Sequence, residues 1–270
     1  MAFQRRSSSW RLLLAISLAA ELLCSHLAAP AAATANKRTG QLTVFWGRNK
    51  AEGTLRDACD TGLYNTVVTS FFSAFGHGRY RLDLSGHHSL TGVGDDIKHC
   101  QRYKGIPVFL SIGGGGGNDG SNYSLLSSAS AEAIAAHLWN AYLGPAGGDV
   151  PCPFGDAVLD GIDFYIDDQG GASSSNYYAE LARRLDYFNS MYYHATKKHV
   201  RLTATPRCAF FPDARVEEAL GTGLFERIHV RFYGDKCSYK KDGTSGSSSS
   251  GTRAGSTIGK ALVRTYTMSL

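Results

Sequence analysis

Beyond its first 35 residues the 270-residue sequence has no apolar run long enough to cross a bilayer, so no membrane-spanning helix is expected. It has no CxxC and no HxxxH, the spacings by which cysteine and histidine pairs hold zinc, and neither a metal nor any other cofactor is expected. The glycine run Gly113–Gly117 is not followed by Lys-Ser/Thr. It therefore lacks the groups with which a phosphate loop grips a nucleotide and reads as a tight strand-to-loop turn. A basic nucleic-acid face is also missing. The net charge is +5, but Arg5, Arg6 and Arg11 less Glu21 put +2 in the leader. Six Lys/Arg less two Asp from Asp235 onward put +4 in the tail, leaving the body near −1.

What is present begins with a leader. Arg5, Arg6 and Arg11 precede the apolar run Leu12–Ala20, and the small-residue site Ala33-Thr34-Ala35 ends it. That order predicts a secretory signal peptide over residues 1–35, and with it a secreted, extracellular protein. Removing the leader takes Cys24 away and leaves Cys59, Cys100, Cys152, Cys208 and Cys237. Cysteines in an oxidising compartment pair where geometry permits, and an odd number leaves one free or intermolecular. Asn122-Tyr123-Ser124 is a glycosylation sequon in a loop.

From residue 42 onward short apolar runs alternate with helical stretches. Strands are expected at Leu42–Gly47, Thr66–Phe75, Pro107–Gly113, Ala157–Asp167, Arg201–Arg207 and Arg227–Tyr233. Helices are expected at Gly94–Tyr103, Ala129–Tyr142, Ser174–Thr196 and Ala214–Leu220. The strands are too continuously apolar for a one-sided sheet, and repeated β-then-α order argues a parallel α/β sheet, barrel or doubly wound. Only six such units are visible. After Tyr233 the chain turns Lys-, Gly- and Ser-rich, which cannot build a packed strand, so open edges are expected at the first and sixth strands.

The segment with chemical content is Leu159–Asp168. Alternate side chains on a strand share a face, so Asp163, Tyr165 and Asp167 point one way while Asp160 stands at the strand entrance. Carboxylates on the inner face of a parallel strand are costly unless hydrogen-bonded or functional, and a polar network inside the core is the plainer reading.

This segment resembles DGxDxDxE, the signature of glycoside hydrolase family 18, with Asp160, Gly161 and Asp163 in place. Phe45–Asn49 resembles the first-strand YWGQN of plant class III chitinases, and Ser111–Gly114 their third-strand SxGG. From residue 40 to 236 the order and spacing are similar to that family, and most similar to its xylanase-inhibitor subgroup; residues 237–270 resemble nothing in it. The resemblance implies a (β/α)8 barrel of TIM type, truncated here after about six βα units. It also implies the disulfides Cys59–Cys100 and Cys208–Cys237, with Cys152 left free.

In that family the final Glu of the motif protonates the glycosidic oxygen, the substrate's acetamido oxygen attacks the anomeric carbon, and the Asp two residues earlier orients that group, a departure from the two-carboxylate scheme. The corresponding positions here are Asp167 and Tyr165. The shorter Asp167 carboxyl retreats by about 1 Å, a displacement that can cost ~100-fold in rate. Tyr165 removes the orienting charge. The family's last-strand Trp has no counterpart, since Trp10, Trp46 and Trp139 stand elsewhere. A degenerate chitinase-like protein, not an enzyme, is therefore expected. Its partner by resemblance is a microbial family 11 xylanase, entered in defence by a basic residue on the loop Asn189–His199, with Lys197, Lys198 and His194 as candidates. A lectin-like binder of chitin oligosaccharides with at most weak residual chitinase activity, and a non-functional truncated product, are the alternatives.

Overall fold

The computed structural model describes residues 41–76, 78–84, 87, 89–114, 122–145, 150–167, 175–208, 214–232 and 266–267, which belong to one compact unit from residue 40 onward. The expected leader, Cys237, Asp168 and most of the tail lie outside the described residues.

Six parallel strands form the frame: β1 (Leu42–Trp46), β2 (Thr66–Gly76), β4 (Val108–Gly114), β6 (Gly161–Ile166), β7 (Arg201–Ala204) and β8 (Phe225–Ile228). A two-residue strand β5 (Asn122–Tyr123) pairs with β2, and β3 (Arg79–Leu82) forms a hairpin with it. The sheet order is β8-β7-β6-β4-β2-β1-β9, where β9 is Tyr266–Thr267. β2 is buried along all eleven residues, as a strand covered on both faces must be. Its outward Phe72 packs on Tyr142 and His137 of the helical layer, while its inward Phe71 meets Tyr165 of β6.

The helices are α1 (Leu55–Asp60), α2 (Val93–Lys104), α3 (Ser128–Leu138, running into a π turn at Trp139–Leu143), α4 (Ser175–Thr196) and α5 (Ala214–Gly221). α1 was not expected from periodicity, being too short to show one. Its cue is local: Thr54 accepts from the Asp57 amide and Asp57 answers to the Thr54 amide, a reciprocal cap that starts a helix without an apolar stripe. Cys59 and Cys100 are bonded, with Cα atoms 5.6 Å apart, and tie α1 to α2. Closing that 41-residue separation contributes about 4 kcal/mol in the chain-entropy model. Cys152 is free, and Cys208 is disulfide-bonded to a partner outside the described residues.

Four expectations need correction. The fifth strand stops at Ala204 instead of Arg207, because Pro206 has no N–H to give the ladder. The sixth lies at Phe225–Ile228, two residues earlier than expected, with Arg207 and Arg231 rejoining as an isolated parallel bridge. The stretch Asn189–His199 is not a loop. α4 continues through Thr196, and the chain leaves helical geometry at Lys197, with φ 54° and its amide still bonded to the Tyr193 carbonyl. The edge of β1 is not open either, since Leu42 and Thr43 pair in parallel with Tyr266 and Thr267. The Arg227 side chain on β8 donates to the Gln41 side chain ahead of β1, so the two ends of the sheet curl toward each other.

Candidate functional site

Register builds the site. Ser111 on β4, Asp163 on β6 and Thr203 on β7 are direct neighbours across the sheet. Asp163 is fully buried, and its oxygens accept from Ser111 Oγ at 2.8 Å, Thr203 Oγ1 at 2.8 Å and Thr205 Oγ1 at 2.8 Å. His229, also fully buried, stands with Nδ1 3.8 Å from Asp163 Oδ1. Hydroxyls around a buried carboxylate replace the water it lost, which is what permits its burial. Asp163 is thereby a satisfied core group, and the shared face of Asp163, Tyr165 and Asp167 follows from strand alternation.

Two residues farther on, toward the C-terminal end of β6, Tyr165 packs edge-on against Phe45 and tilted against Phe71, with centroids 6.1 and 4.9 Å away. The Arg231 guanidinium lies 4.0 Å above the Tyr165 ring and donates to its hydroxyl at 2.8 Å. Arg231 Nη1 also reaches Asp167 Oδ2 at 3.2 Å, and Arg207 Nε binds the other oxygen, Oδ1. The Asp167 amide donates to the Tyr123 hydroxyl at 2.8 Å, which fixes the backbone at this position. Burial pushes the Asp167 carboxyl up, but the Arg207 hydrogen bond and the charge and hydrogen bond of Arg231 outweigh it. The net pKa lies below the ordinary carboxylate value.

At the opposite end of the strands the basic candidates separate. Lys198 Nζ donates to the Val158 carbonyl at 2.7 Å and pairs with Asp160 Oδ1 at 3.3 Å, and burial lowers its pKa. Asp160 Oδ2 meanwhile accepts from the Val108 amide at 2.7 Å and Gln101 Nε2 at 2.8 Å. Asp160 and Lys198 thus stitch β4, β6 and the approach to β7 together; they are scaffold. Lys197 is exposed, its ammonium 5.9 Å from the Tyr193 ring centre. The turn that carries it is held by the buried Asn189, whose side chain accepts from the Val200 amide at 3.0 Å and donates to the Val200 carbonyl at 3.2 Å. His194 lies within α4. Asn122 is exposed on β5 and accepts from Arg79.

The family model described as glycosyl hydrolases family 18 matches residues 41–257. The chain belongs to that family. It is 56% identical over 247 residues to xylanase inhibitor protein 1 of Oryza sativa subsp. japonica, covering 91% of this chain and 75% of that protein. Over 223 residues it is 50% identical to xylanase inhibitor protein 1 of Triticum aestivum, covering 82% and 68%. A second rice xylanase inhibitor is spanned over only 63% of its length, at 58% identity. Among solved structures, the xylanase and alpha-amylase inhibitor protein XAIP-II of Scadoxus multiflorus superposes with a TM-score of 0.63 at 38% identity, over 72% of this chain and 66% of that one. The ICChI chitinase of Ipomoea carnea gives 0.66 at 37%, over 76% and 72%. The fold and its family membership agree with what the three strand motifs implied.

The sequence reading missed Arg207, Arg231, Thr203, Thr205 and His229 as partners of the motif. They lie on β7 and β8, or just beyond them, and no local pattern connects them to β6.

Proposed function

We propose that the protein is a secreted inhibitor of microbial family 11 xylanases that does not hydrolyse chitin. The carrying observation is the pair of arginines on Asp167. A glycosidase acid must hold a proton at working pH, and its pKa is ordinarily raised to do so. Here the carboxyl at that position is pulled the other way and both of its oxygens are engaged. With Tyr165 in the orienting position, neither of these two motif positions on β6 offers the group that the family's reaction uses.

Inhibition is supported by the names of the relatives and by the turn at Lys197. An exposed cation on a turn fixed by Asn189 meets the requirement for entering a cleft whose floor is a pair of carboxylates, because little order has to be gained on binding. Lys198, bound to Asp160, supports the turn from beneath. A glycan at Asn122 would stand at the other end of the strands and leave this turn clear.

The test is a titration of a family 11 xylanase with the secreted monomer and its Lys197→Ala variant. Inhibition weakened at least tenfold by the substitution is expected, since a desolvated charge contact is worth ~2–5 kcal/mol. No inhibition by folded wild-type protein would refute the reading, as would turnover of chitin oligosaccharides at a rate near that of an active class III chitinase.

A further inference from the structure

We propose that a cavity at the N-terminal ends of β7 and β8 receives a basic side chain of the protein that docks on the Lys197 turn, an inference resting on the reading of that turn as the inhibitory surface. The cavity is the second anchor of the same contact.

The cavity measures about 70 Å³. Leu185 and Asp186 of α4 form one wall, Leu202 of β7 and Leu224 and Glu226 at the start of β8 the other, and His199 and Arg201 complete it. Three leucines make these walls largely apolar. His199 and Glu226 are exposed, so the cavity opens to solvent. Its rim is fixed before anything binds. Thr222 Oγ1 accepts from the Leu224 amide at 3.3 Å and donates to the Ala219 carbonyl at 2.6 Å. On the other side Asn189, which holds the Lys197 turn, is hydrogen-bonded to the His199 ring and to Val200.

The charges around the cavity leave one group unsatisfied. Glu226 pairs with Arg201 at 3.6 Å, and the Arg201 guanidinium lies 4.9 Å from the Phe109 ring centre. Arg227, next along β8, donates to the Gln41 side chain. Asp186 is half-buried, and among the described residues it has no hydrogen bond and no ion pair. A half-buried carboxylate beside three leucines has given up part of its water without a partner in return.

Size and charge select the occupant. Sites for free small molecules run to ~300–1,000 Å³, so this cavity suits a single anchoring side chain. An apolar side chain would strip the remaining water from Asp186 and offer nothing in exchange, and an acidic one would face Asp186 and Glu226. An arginine or lysine lays its methylenes on the leucines and brings its cation to Asp186. The position fits the same partner. From Asp186 to the helix end at Thr196, α4 rises about 15 Å. An interface of standard size covers ~800 Å² on each protein, a patch about 30 Å across, so an enzyme seated on Lys197 extends over the cavity.

Two measurements on the full secreted chain test this. The first is an NMR titration with N-acetyl-arginine methylamide and with its uncharged counterpart, N-acetyl-norleucine methylamide. The arginine probe should bind in the millimolar range and shift the amides of Leu202 and Leu224, and the norleucine probe should bind about fivefold more weakly. Asp186→Asn should abolish that preference, yet unfold at the same urea concentration as wild type, because the carboxylate holds no internal contact. The second is the xylanase titration, in which Asp186→Asn should weaken inhibition about fivefold, less than Lys197→Ala does. Equal binding of the two probes, no binding of the arginine probe at millimolar concentration, or undiminished inhibition by Asp186→Asn where Lys197→Ala weakens it would each overturn the proposal. Selective binding of the arginine probe by a wild-type protein that inhibits no family 11 xylanase would uphold the cavity as a cation site and refute the xylanase reading alone.

Discussion

Replacing Asp167 with Asn keeps the shape of the side chain and removes its charge, which isolates what the two arginines depend on. Arg231 is almost wholly buried, and among the described residues Asp167 Oδ2 at 3.2 Å is its only charged acceptor. Its other partners are the Tyr165 hydroxyl at 2.8 Å, the Thr205 carbonyl at 3.2 Å and the Tyr165 ring. Stripping one partner from a buried ion pair costs ~3–5 kcal/mol. The remaining neutral partners, and the partial exposure of Arg207, put Asp167→Asn at the low end, about 3 kcal/mol. For a chain of this length that lowers Tm by roughly 6–12 °C. The same carboxylate sets an acid limit. Its folded pKa lies below the unfolded value of about 3.9, so its contribution is complete above that pH and disappears as pH falls through the folded value. Urea unfolding across a descending pH series should therefore show a large loss for the variant at pH 7 and a difference that narrows once pH falls below the unfolded value of about 3.9. Adding Arg207→Ala to Asp167→Asn should recover about 1 kcal/mol, because two cations no longer face each other. A single variant within 0.5 kcal/mol of wild type at pH 7 would show that the clamp is not the stabilising contact argued here.

Three further outcomes follow from the contacts of Lys198, Asp167 and the cysteines. Lys198→Ala should lower stability by about 1–2 kcal/mol in urea unfolding, through loss of its bonds to Val158 and Asp160, whereas Lys197→Ala should leave stability unchanged. Tyr165→Asp combined with Asp167→Glu should give little chitin hydrolysis in a chitotetraose assay, because Arg207 and Arg231 would hold the new carboxylate ionised as they hold the present one. Peptide mapping without reduction should recover Cys59 joined to Cys100, Cys208 joined to Cys237 and Cys152 alkylated; an intramolecular bridge through Cys152 would contradict this.

The strands were legible because each is a continuous apolar run, and Asp163 was legible because a carboxylate inside such a run is conspicuous. What closes the site was not. Arg207 and Arg231 reach Asp167 from 40 and 64 residues downstream, and only the register of β6, β7 and β8 brings them there. The one trace was an arginine near the end of each run, Arg207 and Arg231, a pattern that surface strands also show. The end of α4 at Thr196 was legible as the end of a helical run, and it was the resemblance that made Asn189–His199 a loop. Tyr192, Tyr193 and His194 interrupt its apolar periodicity, yet the helix persists because Phe188 and Tyr192 pack on Trp139.

The pairing order has a consequence for how firmly each part of the molecule is held against transient opening. β4 and β6 share six registered pairs at the middle of the sheet, while β1 ends in two pairs with β9 and, among the described residues, β8 pairs with β7 alone. Amide exchange should be slowest along Val108–Ile112 and Gly161–Ile166 and fastest on β8, because each outer strand can detach without disturbing the centre. Detachment of β8 carries Arg231 away with it and frees Asp167 from one of its two cations. The ionisation of that carboxyl is then governed by the fraying of an edge strand far along the chain, not by the strand on which the carboxyl itself resides.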